Sequence, residues 1–386
     1  MLLVPFLEET ESGPTESDPE PADESPLPPA MSRAAPQAPP SEPAAPSRAG
    51  RGSGRPIVRV PGFLALLVVL ALAGLLFGRL VRNVGDDGTP KPATSAASTT
   101  TRAAPAPRGE RWGPLKATPA GRLASPAGRA AAALFANRVV VLGGTAGNAV
   151  QLGTPGGVMR RVGSLPSERA SAAAFATKGA VYLIGGERGV ETPSDEILRF
   201  DLASHRVTPA GRFIEPLAGA GYVSSGGSLL LVGGWTGEKY ATAVLRFTLP
   251  DNAALVARLP EALRDPAVVL HGGRLYVAGG RGDAGPSDTV YVVDLASGTV
   301  SVLGRLPRAV AGASLVAVGG QLYVLGGKDK RGPVASVVRI DPASGRIEPA
   351  GRMPRPLAGA VTAQVGRATL VIGGTRPTAV HRIEPS

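Results

Sequence analysis

Apolar and polar positions from residue 112 onward fall into short bursts that repeat. Six apolar runs each end in a glycine pair: VVVLGG at Gly143 and Gly144, VYLIGG at Gly185 and Gly186, LLLVGG at Gly233 and Gly234, LYVAGG at Gly279 and Gly280, LYVLGG at Gly326 and Gly327, and LVIGG at Gly373 and Gly374. Their spacings are 42, 48, 46, 47 and 47 residues. Around each doublet the same order recurs. A small-residue strand such as AGASLVAV leads through a glycine-containing turn into the apolar strand; a variable polar loop follows, then a strand such as SVVRIDP, a tight turn, and a strand ending in Gly-Arg-apolar-Pro. Short β-rich runs bounded by Gly, Pro, Ser and Asp predict strands and hairpins. Four strands in about 45 residues is the size of one propeller blade.

The fourth strand has a signature of its own. LKATPAGRL (Leu115–Leu123) returns as HRVTPAGRF (His205–Phe213), GRIEPAGRM (Gly345–Met353) and, more loosely, GTVSVLGRL (Gly298–Leu306). The first copy has no preceding partner, and the last unit, ending in TAVHRIEPS, stops one strand short. The pattern therefore predicts an all-β, six-bladed propeller in which the N-terminal strand completes the last blade and closes the ring.

On these features residues 112–386 resemble the Kelch-repeat propellers. The resemblance rests on the six doublets, on lead-ins such as LPSER (Leu165–Arg169) and LPRAV (Leu306–Val310), and on third strands ending at Asp201, Asp294 and Asp341. The aromatic residues that usually follow the doublet are mostly Val or Ile here, and Trp235 stands directly after one instead. The doublets themselves read as structural, since Gly permits positive φ and close backbone approach. Of the enzymes with this resemblance, the copper oxidases similar to galactose oxidase need a Tyr–Cys cross-link, which a chain without Cys excludes. The kelch-type sialic-acid mutarotase remains a precedent.

Upstream the pattern changes three times. Residues 1–56 carry nine carboxylates against four arginines among Pro, Ala and Ser, a composition that predicts disorder. In residues 57–82 a run of 19 uncharged residues, Val60–Gly78, is long enough for a single membrane anchor. Residues 83–111 read as a Pro/Ser/Thr-rich stalk. A weak excess of Arg on the N-terminal flank and the stalk on the other side predict a single-pass protein of the cytoplasmic membrane, N-terminus inside, propeller outside. Removing these segments from the overall +11 leaves residues 112–386 with about twelve net positive charges, which favours anionic partners.

Candidate chemistry is sparse. His205, His271 and His381 fall at unrelated places in their repeats, so no metal or other cofactor is expected. No residue forms a recognisable catalytic motif. Arg129, Arg169, Arg264, Arg308 and Arg355 recur ahead of the first strand, 14 to 18 residues before the doublet. They read either as a rim that grips an anion by bidentate hydrogen bonds or as solvated loop arginines. Trp235 and Tyr240, in the loop WTGEKY, are placed either to stack on a ligand or to pack on a neighbouring blade. RGD at Arg281–Asp283 is too short a match to carry an adhesive role. Aromatic content of 4% is too low for a nucleic-acid stacking platform. The reading favoured is a monomeric, non-catalytic module that binds a protein or glycan through its loops; the alternative is a carbohydrate-acting enzyme.

Overall fold

The computed structural model describes residues 110–386, Lys178 excepted. The predicted tail, anchor and stalk lie outside those residues, and among the described residues no helix is long and apolar enough to cross a membrane. Six antiparallel sheets follow one another along the chain. Their innermost strands are Ala131–Phe135, Ala173–Thr177, Gly221–Ser225, Ala267–His271, Ser314–Val318 and Ala360–Val365, defining blades 1 to 6. Within each blade the second, third and fourth strands step outward.

Blade 6 is built from both ends of the domain. Its third strand, Ala379–Pro385, pairs with Leu115–Arg122 in the register Leu115 to Pro385, Ala117 to Ile383 and Pro119 to His381. Glu110–Trp112 adds a fifth, outermost strand. The orphan N-terminal copy of the repeat is thus the missing strand, and the all-β six-bladed architecture holds.

The core lies between blades rather than inside them. There are six buried apolar clusters, each drawn from two neighbouring blades. In blade 3, Leu229 and Leu231 face blade 2 while Leu230 and Val232 face blade 4. A strand buried on both sides has no reason to alternate, which is why the second strands read as unbroken apolar runs.

The doublets join consecutive blades. The second glycine of each donates its N–H to the carbonyl of the residue leading into the next blade: Gly186 to Leu217 (2.7 Å), Gly234 to Leu263 (2.7 Å) and Gly327 to Leu357 (2.7 Å). The first glycine has φ between +61° and +71°, and a Cβ there would overlap that same carbonyl oxygen. No other residue fits the joint.

Candidate functional site

A cavity of about 660 Å³ occupies the mouth formed by the lead-ins to the innermost strands and the loops after the doublets. None of the residues ending the innermost strands lines it: Phe135, Thr177, Ser225, His271 and Val318 are all outside. Tyr222, the second residue of its strand in blade 3, reaches to blade 1, where its hydroxyl accepts the Ala132 N–H (2.9 Å) and donates to the Ala132 carbonyl (3.2 Å). Burial raises the pKa of this hydroxyl above the usual tyrosine range, so it stays protonated and can donate. The cavity is a cup.

One residue per blade, just ahead of the innermost strand, forms the lip. These are Arg129, Ser171, Gly219, Asp265, Gly312 and Gly359, all left-handed with φ between +52° and +65°. Their peptides close a circle of six hydrogen bonds. Ser171 donates to Arg129 (2.7 Å), Gly219 to Ser171 (2.8 Å), Asp265 to Gly219 (2.6 Å), Gly312 to Asp265 (2.9 Å), Gly359 to Gly312 (2.9 Å) and Arg129 to Gly359 (2.9 Å). Three of the six are glycine, for which this conformation costs nothing; the other three hold a side chain in spite of the strain.

The two charged ones, Arg129 and Asp265, meet across the ring. Arg129 of blade 1 lies 3.8 Å from Asp265 of blade 4, the blade opposite, and 3.2 Å from Glu187, the residue after the blade 2 doublet. Glu187 is 5% exposed and also holds Arg264 in a close ion pair. Arg264 Nε is 3.7 Å from Asp265. Arg169, 1% exposed, donates to the Gly185 carbonyl (2.9 Å) and to Glu196 (2.8 Å). That contact, then the one from Arg188, holds the Glu196 carboxyl below its ordinary range.

The arginine row thus separates into distinct structural positions. Arg129 is a lip residue and Arg264 immediately precedes one, while Arg169 takes the buried position filled by Leu217, Leu263, Val310 and Leu357 elsewhere. This one-residue slippage is the cause of the uneven offsets. All three line the cup. Arg308 and Arg355 stand two residues earlier, exposed and outside the lining; Arg308 pairs with Asp329 and lowers its pKa, and Arg355 borders a small crevice beside Trp112 and His381. Tyr240 lines the cup, whereas Trp235 stacks edge-on against it with ring centroids 5.3 Å apart. Arg281 and Gly282 of the RGD stretch form half of a small two-stranded ladder.

Glu187 and Asp265 were not among the sequence candidates. The available signal was positional: each is the one acidic residue among its six repeat positions, after the doublet for Glu187 and on the lip for Asp265. With them the charge of the cup changes. Its basic groups are Arg129, Arg169, Arg264, Arg281 and Lys328. Its acidic groups are Glu168, Glu187, Glu191, Asp265 and Asp329. Five against five gives a neutral lining in a basic domain.

The Kelch motif is matched at residues 262–307 and 309–354, which are blades 4 and 5 with their lead-ins. Two Kelch motifs thus lie within a six-bladed β-propeller. A solved structure of YjhT superposes with a TM-score of 0.57 at 16% identity, over 67% of this chain and 94% of that one. No curated protein sequence matches. At that identity YjhT shows the fold alone, and 937 solved chains match in structure, so the function of this propeller has to be argued from its own cup.

Proposed function

We propose that this Kelch propeller is a binding module, tethered to a membrane through residues 57–82, that takes a small polar group into the axial cup: a sugar, or the end of a glycan or protein segment. The observation that carries this is the cup itself. About 660 Å³ is within the range of small-ligand sites, and side chains from several blades converge there on a rigid lip. The neutral lining supports recognition by directional hydrogen bonds over bulk attraction of anions.

A second reading is favoured by one observation: Arg129, Arg169, Arg264 and Glu187 meet in a single mouth. A carbohydrate-acting enzyme similar to the kelch-type sialic-acid mutarotase would use such a group, the arginines holding a substrate carboxylate. Against it, each of these arginines already faces a carboxylate of the protein.

Thr362 lines the cup from an innermost strand, where an aromatic residue is well tolerated. Titration of the full chain with a glycan and peptide panel should give saturable binding that Thr362→Trp abolishes by filling the cup. Binding that survives Thr362→Trp would move the site to the outer loops. Turnover of a bound sugar by the unaltered chain would favour the enzyme.

A further inference from the structure

We infer that the cup selects a zwitterion: a ligand with an ammonium group and a carboxylate a few bonds apart, as in an α-amino acid, a free peptide or an amino-bearing sugar acid. This rests on the reading of the cup as a binding site and names what it takes. Arg129 and Asp265 sit on opposite blades, yet both project over the axis. The neighbouring lip glycines make room for them. A Cβ on Gly359 would come within 3.0 Å of Arg129 Cγ, and one on Gly219 within 2.7 Å of Asp265 Oδ1. Charge at these two positions is retained despite left-handed backbone in both.

The bar they form is a loose one. At 3.8 Å the contact is charge attraction without a hydrogen bond, and the two side chains are 38% and 29% exposed, so parting them breaks no directional contact. Glu187, by contrast, is buried and pinned by Arg264. Arg129 keeps Glu187 at 3.2 Å and has its other N–H groups left for a ligand carboxylate, while Asp265, approached by cations only at 3.7 and 3.8 Å, is the anion left to take a ligand ammonium. Donor capacity remains beside them: Nε of the buried Arg169 and Arg264 and the Ser171 hydroxyl have no hydrogen-bond partner. A native protein seldom leaves such buried atoms unsatisfied.

Charge balance disfavours ligands of a single sign. The lining cancels, so a purely anionic ligand would place its charge against Asp265 and Glu187, and a purely cationic one against Arg129 and Arg264, in a partly desolvated site. A zwitterion replaces the Arg129–Asp265 contact by two shorter, charge-assisted ones and leaves the cup neutral. Ala313, Ala360 and Val361, also in the lining, offer apolar surface to the rest of the ligand.

The test is calorimetric titration of the full chain with alanine, alanylalanine and muramic acid, each against its N-acetylated form, which keeps the carboxylate and loses the ammonium. The zwitterions should bind at least about tenfold more tightly, the size of a lost charge-assisted hydrogen bond. Asp265→Asn keeps the shape and tolerates left-handed backbone, so the fold should persist. It should weaken the zwitterions alone and erase the difference. Equal affinity for the N-acetylated forms, with binding still lost in Thr362→Trp, would overturn the zwitterion and leave the cup a binding site. Silence from every probe, the glycan and peptide panel included, would remove both.

Discussion

At the residue scale, two glycines of the same repeat do different work. Gly326 and Gly320 both have positive φ, but a Cβ on Gly326 would overlap the Leu357 carbonyl whereas one on Gly320 meets nothing. Gly320→Ala should then cost only the left-handed strain, about 1 kcal/mol. Gly326→Ala adds a broken blade joint and should cost about 3 kcal/mol or more. Chemical denaturation of the two variants measures the difference, and equal losses would refute the joint. Tyr222→Phe deprives the Ala132 N–H and carbonyl of their partner and should cost about 1–2 kcal/mol, with the cup opened toward the channel.

The elements repeat more faithfully than their residues do. In every blade the fourth strand slips by one residue against the third: at Ala210 in blade 2, Ala350 in blade 5 and between Pro119 and Arg122 in blade 6, and likewise at Val162, Val256 and Leu303 in the others. Pro-Ala-Gly-Arg is thus the sequence of a β-bulge, with its glycine at φ +123° to +137°, and blades without the motif make the same bulge. The strand that pairs with the closing strand carries a pH-sensitive group. His381, opposite Pro119, is buried beside Trp112, with Arg376 and Glu110 as its charged neighbours. Burial first, then Arg376, lowers its pKa below the ordinary 6.5. The unfolded chain therefore binds a proton that the folded one refuses, so stability falls as pH drops below about 6.5, until the folded-state pKa is reached. His381→Gln should flatten that slope in denaturation curves between pH 7 and pH 5; an unchanged slope would assign it to other groups.

For the whole molecule, closure is the property that matters. Each core cluster belongs to two blades, so no blade has a core of its own, and opening the ring exposes the clusters on both sides of blade 6. Removing residues 110–122 should abolish cooperative unfolding as well as lowering the midpoint, because Trp112, Leu115 and Ala117 belong to one cluster and Ala120 to the other. A truncated chain that still unfolds in one sharp transition would show that five blades and a fragment suffice. The cup depends on the same closure, since its lip is a hydrogen-bonded circle through all six blades and a gap at blade 6 would release Arg129 from Gly359.

The repeat, the blade count and the closing strand were legible in the sequence because they depend on local chemistry recurring at a fixed interval: apolar runs, turn residues and a glycine doublet that steric overlap forbids to any other side chain. Arg129, Arg169 and Arg264 were legible as a recurring type, but their convergence was not. Whether they lie on a lip, beside it or in the core depends on shifts of one residue that only the ring resolves. The partners Glu187 and Asp265 are separated by 77 and 136 residues from Arg264 and Arg129 respectively. Nothing local pairs them; sequence determined the blades, and tertiary structure alone decided which charges meet across the axis, because closing the circle brings opposite blades within reach of a single side chain.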